Sequence, residues 1–284
     1  MKICKHICFF YEESRIPYIS RIIEEASKYP YQTDIFIHSN KIFPLTQFPK
    51  SQNVHLIGHD FTNSDPFLLP WKVRDLMKTQ KDAYDIFIYV EDDVLIPVNA
   101  IKYWEKYNSK LYPNKLNVGF VRIEVDSVGK EFSTDIQLQL PLILIYDNEI
   151  YCVNDGNPYT AFWIYGKEEF SEFVKSPYYD LPDIEGKDVK GVHIRGYCIR
   201  EAAAIGLHGI LDSSCLWYKH TVIPIHSKTL DPDCRVYHLP NNYVNNPNTF
   251  FATLRFDEIV AFSEKDIVDR EENLIRKRIR LQLK

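Results

Sequence analysis

Ile86-Phe87-Ile88-Tyr89-Val90-Glu91-Asp92-Asp93-Val94-Leu95 decides how the rest of the chain reads. Five apolar or aromatic residues run without alternation, the pattern of a short strand buried on both faces. Three carboxylates follow. A strand interior does not hold three unpaired carboxylates, because each buried charge is costly. They are expected where the strand emerges, at its carboxyl end, and in open α/β sheets that edge is where ligands bind. Carboxylates this close repel one another, so a cation is their natural partner, and oxygen ligands favour Mg²⁺, Mn²⁺ or Ca²⁺ over softer metals. Two readings stand. One is an acidic turn holding a divalent ion against a nucleotide diphosphate; the other is a solvated acidic turn at a strand end.

Working outward toward the N-terminus, strands and helices alternate. Ile3 to Tyr11 is apolar and β-prone, followed by a turn at Glu12-Glu13-Ser14-Arg15. Ile19, Ile22, Ile23 and Ala26 have helical spacing within Ile16 to Lys28, and Pro30 ends that helix. Thr33 to His38 and Val54 to Ile57 read as strands. Asn63-Ser64-Asp65-Pro66 is a turn, and Leu69 to Thr79 a helix with Pro70 near its start. This β-α-β-β-α-β order argues for a mostly parallel α/β sheet. Neither GxGxxG nor GxxxxGK[ST] occurs, so a dinucleotide fingerprint and a P-loop are both excluded.

Toward the C-terminus, Val98 to Lys110 is helix-like. Strands are expected at Val118 to Val125, Leu138 to Tyr146, Glu149 to Val153, Tyr159 to Tyr165 and Thr221 to Ile225, and helices at Lys167 to Lys175 and Gly196 to Gly206. Asp231 to Asn248 is rich in Pro and Asn and reads as a loop, with a strand at Val236-Tyr237-His238 running into it. Ser263 to Lys284 reads as a surface helix. Its stripe of Ile275, Ile279 and Leu283 beside Arg276, Lys277, Arg278, Arg280 and Lys284 is expected to pack on the protein's own surface, with membrane contact as the lesser reading.

Composition bounds the function. The 284 residues are 45% hydrophobic and 14% aromatic, enough for a full core. A net charge of −5 argues against nucleic-acid binding by the whole molecule. Cys4, Cys8, Cys152, Cys198, Cys215 and Cys234 show no CxxC and no zinc spacing. No stretch has the roughly 18 apolar residues of a membrane span, and the first residues lack a signal peptide's apolar segment. A cytoplasmic protein with reduced thiols is expected.

An apolar strand ending in Glu91-Asp92-Asp93, after two or three βα units, resembles the GT-A glycosyltransferases, which carry Asp-x-Asp or Glu-Asp-Asp at this place. Leu69-Pro70-Trp71-Lys72-Val73-Arg74 and Phe162-Trp163-Ile164 are similar to other pieces of such enzymes. The resemblance implies a Rossmann-type mixed sheet flanked by helices in a single catalytic domain over 1–250. The donor half would be 1–110, the acceptor half 111–250, and a helical extension 251–284. It also implies a nucleotide-sugar donor, Mn²⁺ or Mg²⁺, and a glycan or lipid-linked acceptor. A sugar nucleotidyltransferase and a non-catalytic carbohydrate-binding protein are the alternatives. The first lacks support in a glycine-rich basic loop near the N-terminus.

Site residues follow by motif position and chemistry. A cation bridging a departing nucleoside diphosphate offsets its developing charge. Asp93 matches the last position of the family motif and is the expected metal ligand; Asp92 or Glu91 would hold the ribose or a water on the metal. The family often adds a late His, for which His238 is preferred over His226, while His193, His208 and His220 carry no such signal. An inverting transferase needs a general base. Glu201, beside Arg200 at a helix start, is the candidate, with Asp155, Asp183 and Glu185 as alternatives. On the donor side, Tyr11 and Glu12 close the first strand, and Ser39 and Asn40 close the second. Lys72 and Arg74 would offset diphosphate charge. On the acceptor side, Asn157, Tyr159 and Trp163 are expected, because aromatic rings pack against sugar faces.

Overall fold

The computed structural model describes residues 1–48, 53–154, 156–194, 196–207 and 220–261. The expectations placed on Asp155, His208, Cys215 and the segment Ser263 to Lys284 lie outside the described residues. The fold is α/β, with mixed sheets and flanking helices. The chain forms two compact units, Met1–Val98 with Ala161–Gly209, and Asn99–Thr160 with Ile210–Lys284.

The first unit is built on β1 (Lys2–Phe9), α1 (Ile16–Ala26), β2 (Gln32–Ser39), β3 (Val54–Gly58), α2 (Leu69–Thr79) and β4 (Ile86–Glu91). Its sheet runs Phe162–Gly166, β4, β1, β2, β3. The four N-terminal strands are parallel and Phe162–Gly166 joins antiparallel at the edge. Ile86 to Val90 are all buried because β4 is central, with β1 on one side and Phe162–Gly166 on the other. The stripe Ile19, Ile22, Ile23 and Ala26 is the buried face of α1. In α2 Pro70 takes the first turn, where no N–H is needed, and Asp65 accepts from Phe67 N at 2.8 Å just upstream. An aromatic stack fills the layer under the sheet: Phe87 lies on Phe170 at 4.0 Å between centroids, and Trp163 stacks on Tyr89 and Tyr165.

Polar groups also enter this core. Lys5 is fully buried and donates to the Tyr29 hydroxyl at 3.0 Å; burial lowers its pKa to about 7. His6, His38 and His59 form a row, with His6 Nδ1 2.7 Å from His38 Nε2 and His38 Nδ1 2.8 Å from His59 Nε2. Burial holds His6 near pKa 3 and lowers His38 as well, so both rings are neutral and satisfied by one another.

The second unit contains an antiparallel sheet in the order Thr229–Leu230, His220–His226, Glu149–Asn154, Ile143–Tyr146, with Leu116–Val118 parallel to His220–His226. A further set runs Leu254–Arg255, Glu131–Ser133, Val121–Val125, Arg235–His238, the last pair parallel. Two buried ion pairs fasten it. Arg122 grips Asp135 through Nε and Nη2 at 2.9 and 2.7 Å. Glu124 takes His238 Nδ1 at 2.5 Å and the N–H groups of Asn242, Tyr243 and Val244.

Departures from the sequence expectation have local causes. Val118 to Val125 is two strands, split where Gly119 N turns to Val222 O at 2.8 Å. The strand expected from Leu138 begins only at Ile143, past Pro141, which lacks a ladder donor. The strand expected from Tyr159 starts at Phe162, because Ala161 takes a positive φ of 59°. The helix expected over Gly196 to Gly206 is Ile199–Ile205, since Gly196 sits at φ +86° in the turn between His193–Ile194 and Tyr197–Cys198.

Candidate functional site

The candidate site lies in the first unit, at the carboxyl ends of β1 and β4. Register places Cys8 of β1 opposite Glu91 of β4. As the parallel strands stop, their last residues and the segments after them open a cleft of about 440 Å³. Cys8, Phe10 and Glu12 come from β1 and its exit, Arg15 from the short helical turn Glu13–Arg15, and Glu91, Asp92 and Asp93 from β4. Asp65, Pro66, Phe67, Leu69 and Pro70 come from the lead into α2, and Lys190 and Arg200 from Val189–Gly191 and Ile199–Ile205.

Charge dominates the lining. Arg15 Nη2 lies 2.6 Å from Asp92 Oδ1 and 2.7 Å from Asp93 Oδ2, so one nitrogen donates to both carboxylates. Asp92 is only 6% exposed, and its Oδ2 is buried without a hydrogen-bond partner. Burial first, then the Asp93 charge, push the Asp92 carboxyl well above the usual carboxylate range, against the pull of Arg15. The same carboxylates outweigh desolvation at Arg15 and raise its pKa. Lys190 Nζ and Arg200 Cζ stand 5.3 and 5.7 Å from the centre of the Phe67 ring, a cation–π arrangement. Burial and the charges of Glu91 and Asp92 push the Cys8 thiol up, so it stays protonated.

Among the described residues no group of three or more His, Cys, Asp or Glu forms a metal cage. Two hard carboxylate oxygens nonetheless converge on a single cationic nitrogen, and a third oxygen, Asp92 Oδ2, is buried unsatisfied. That set fits Mg²⁺ or Mn²⁺, which take one or two carboxylates and complete their shell with water and phosphate.

The sequence-expected residues separate in space. Glu12, Glu91, Asp92 and Asp93 share the cleft. Tyr11 does not line it; its N–H donates to Asn40 Oδ1 at 2.7 Å and its ring lies under Lys41. Ser39 is fully buried. Lys72 and Arg74 border a second hollow of about 190 Å³. Arg74 is 2% exposed and donates to the carbonyls of Tyr178, Tyr179 and Ala203. Trp163 is fully buried in the aromatic stack. Glu201 Oε2 accepts from Cys198 N at 3.2 Å, capping its own short helix. Asp183 likewise accepts from Glu185 N. Asn157, Tyr159, His226 and His238 belong to the second unit. There Asn157 donates to Asp135 O, Tyr159 lies under Arg122, His226 meets Asp231, and His238 is held by Glu124.

Sequence reasoning did not assign Arg15, Lys190, Phe10 or Phe67 to the site. Arg15 carried a usable signal, standing in the turn directly after a strand parallel to β4. Lys190 and Phe67 carried none, because their approach depends on how two distant loops fold.

No family model matches the sequence, and no curated protein sequence matches it. Among solved structures, the chain is similar to a crystal structure of S. aureus TarS 1-349, with 12% identity and a TM-score of 0.44 over 84% of this chain and 60% of that one. A crystal structure of S. aureus TarS gives 11% identity and a TM-score of 0.44 over 84% and 36%. The chain thus spans less than two thirds of either, and likeness at this level says nothing of activity.

Proposed function

We propose that the protein is a glycosyltransferase that uses a nucleotide-sugar donor together with Mg²⁺ or Mn²⁺. The observation that supports this reading is the acidic turn at the carboxyl end of the central strand, with Asp92 buried, set in a cleft that also presents Arg15, Lys190 and Arg200. Asp92 and Asp93 would hold the cation. When bound, such an ion would offset the charge that develops as the sugar bond breaks. Lys190 and Arg200 are placed to take phosphate oxygens, and their stacking on Phe67 orients both cations before a ligand arrives. Glu12 lines the same cleft and is the proposed contact to the polar part of the nucleoside. The acceptor is proposed to be a glycan or lipid-linked sugar.

The reading is tested by turnover. The full chain is incubated with a panel of nucleotide sugars and Mn²⁺, and release of nucleoside diphosphate is measured. Slow release from one donor, absent in Asp93→Asn, is the expected result. Formation of pyrophosphate from a nucleoside triphosphate and a sugar phosphate would replace this reading with a nucleotidyltransferase.

A further inference from the structure

Arg15 sits between the two aspartates of the acidic turn. Its Nη2 alone contacts both carboxylates of the turn, while its Nε is buried with no partner. The contact is end-on, unlike that of Arg122, whose Nε and Nη2 form a fork on Asp135 with both side chains nearly buried. Two parallel bonds make a fork strong and directional; an end-on contact has neither advantage. The Arg15 side chain is also 31% exposed, and it springs from a single helical turn between β1 and α1. Asp92 Oδ2 stays buried and unsatisfied beside this contact.

We propose that Arg15 is a tethered counter-ion that balances the Asp92–Asp93 turn in the ligand-free protein and is exchanged for the divalent cation. Resting on the glycosyltransferase reading, this assigns Arg15 a positioning role. Displaced from the carboxylates, its guanidinium remains on the wall of the same cleft, where diphosphate oxygens are its new partners. Exchange makes cation binding and phosphate binding mutually supportive, because each relieves a charge the other exposes. It also makes the free protein a poor metal binder, since a cation must first displace a covalently attached competitor at high local concentration.

The test uses Mn²⁺ alone as the probe, read by electron paramagnetic resonance of free Mn²⁺ and by thermal unfolding of the full chain. Arg15→Met is expected to lower the melting temperature without metal, to bind Mn²⁺ at least about tenfold more tightly than the wild type, a difference of about 1.4 kcal/mol, and to regain its stability when Mn²⁺ is added. Arg15→Lys, which keeps a flexible cation, is expected to fall between the two. Equal Mn²⁺ affinity in wild type and both variants, or no Mn²⁺ binding by any of them, overturns the exchange. Failure of the glycosyltransferase reading looks different: Mn²⁺ binds and responds to Arg15 as stated, yet no nucleotide sugar is turned over.

Discussion

Asp92 is the residue where stability and function pull apart. Burial and the neighbouring Asp93 charge favour its neutral form, and Arg15 opposes them only in part. Because its folded pKa is raised, the stability it contributes is full below its unfolded pKa and is lost as pH rises through the folded one. Asp92→Asn is therefore expected to stabilise the ligand-free protein at pH 7 by on the order of 1 kcal/mol, seen as a higher melting temperature, while weakening Mn²⁺-dependent nucleotide binding. The stability difference should vanish as pH falls toward about 4, where the unfolded carboxyl also protonates. Thermal denaturation across that range checks both parts. Glu201 gives a contrasting expectation. Its carboxylate caps a short helix, and Gln can accept the same N–H. Glu201→Gln should leave turnover and stability nearly unchanged, whereas Glu201→Ala should cost about 1 kcal/mol. A hundredfold loss of turnover in Glu201→Gln, with stability intact, would instead identify it as a general base. At this scale the acidic triplet was legible in the sequence because three charges cannot continue a buried strand. Arg74 was not read correctly as to its surroundings from charge alone. It falls on the buried stripe of Leu69, Pro70, Trp71, Val73 and Met77, where its guanidinium donates to backbone carbonyls instead of facing a ligand cleft.

Elements were legible where one period persisted for several residues. β1, β2, β3, both helices between them and β4 lie within a few residues of their expected places, because apolar runs and the 3.6-residue stripe of α1 admit one reading. The later strands were shortened by single residues, such as Ala161 at positive φ, whose conformation no local pattern announced. β1 also hides a cost that its apolar pattern does not show. Lys5 is buried with its pKa lowered to about 7, against an ordinary value of 10.5. Unfolding therefore takes up a proton at Lys5 between those values, and this group makes stability rise as pH is raised from about 7 to about 10.5. Lys5→Met should flatten that rise and stabilise the protein at pH 7 by about 2 kcal/mol. Parallel pH series of chemical denaturation on both proteins measure it.

For the whole molecule, the row His6, His38 and His59 sets the acid limit. Both inner rings have lowered pKa values, so their contribution is present above the unfolded value near 6.5 and is lost as pH falls below it. The midpoint of denaturation should drop between pH 7 and pH 5, with a net uptake of about two protons, and His6→Gln with His38→Gln should remove most of that slope. The α/β class was legible from element order alone, but the return of the edge strand Phe162–Gly166 to the first sheet from far along the chain was not. The central claim is that the Glu91-Asp92-Asp93 turn receives a nucleotide diphosphate with its cation. Thermal unfolding of the full chain with each common nucleoside diphosphate, with and without Mn²⁺, tests it most directly, because a ligand that binds only the native state raises the melting temperature by mass action. The account predicts a Mn²⁺-dependent rise with one base, abolished in Asp93→Ala. A rise that persists in Asp93→Ala, or no rise with any nucleotide, would contradict it.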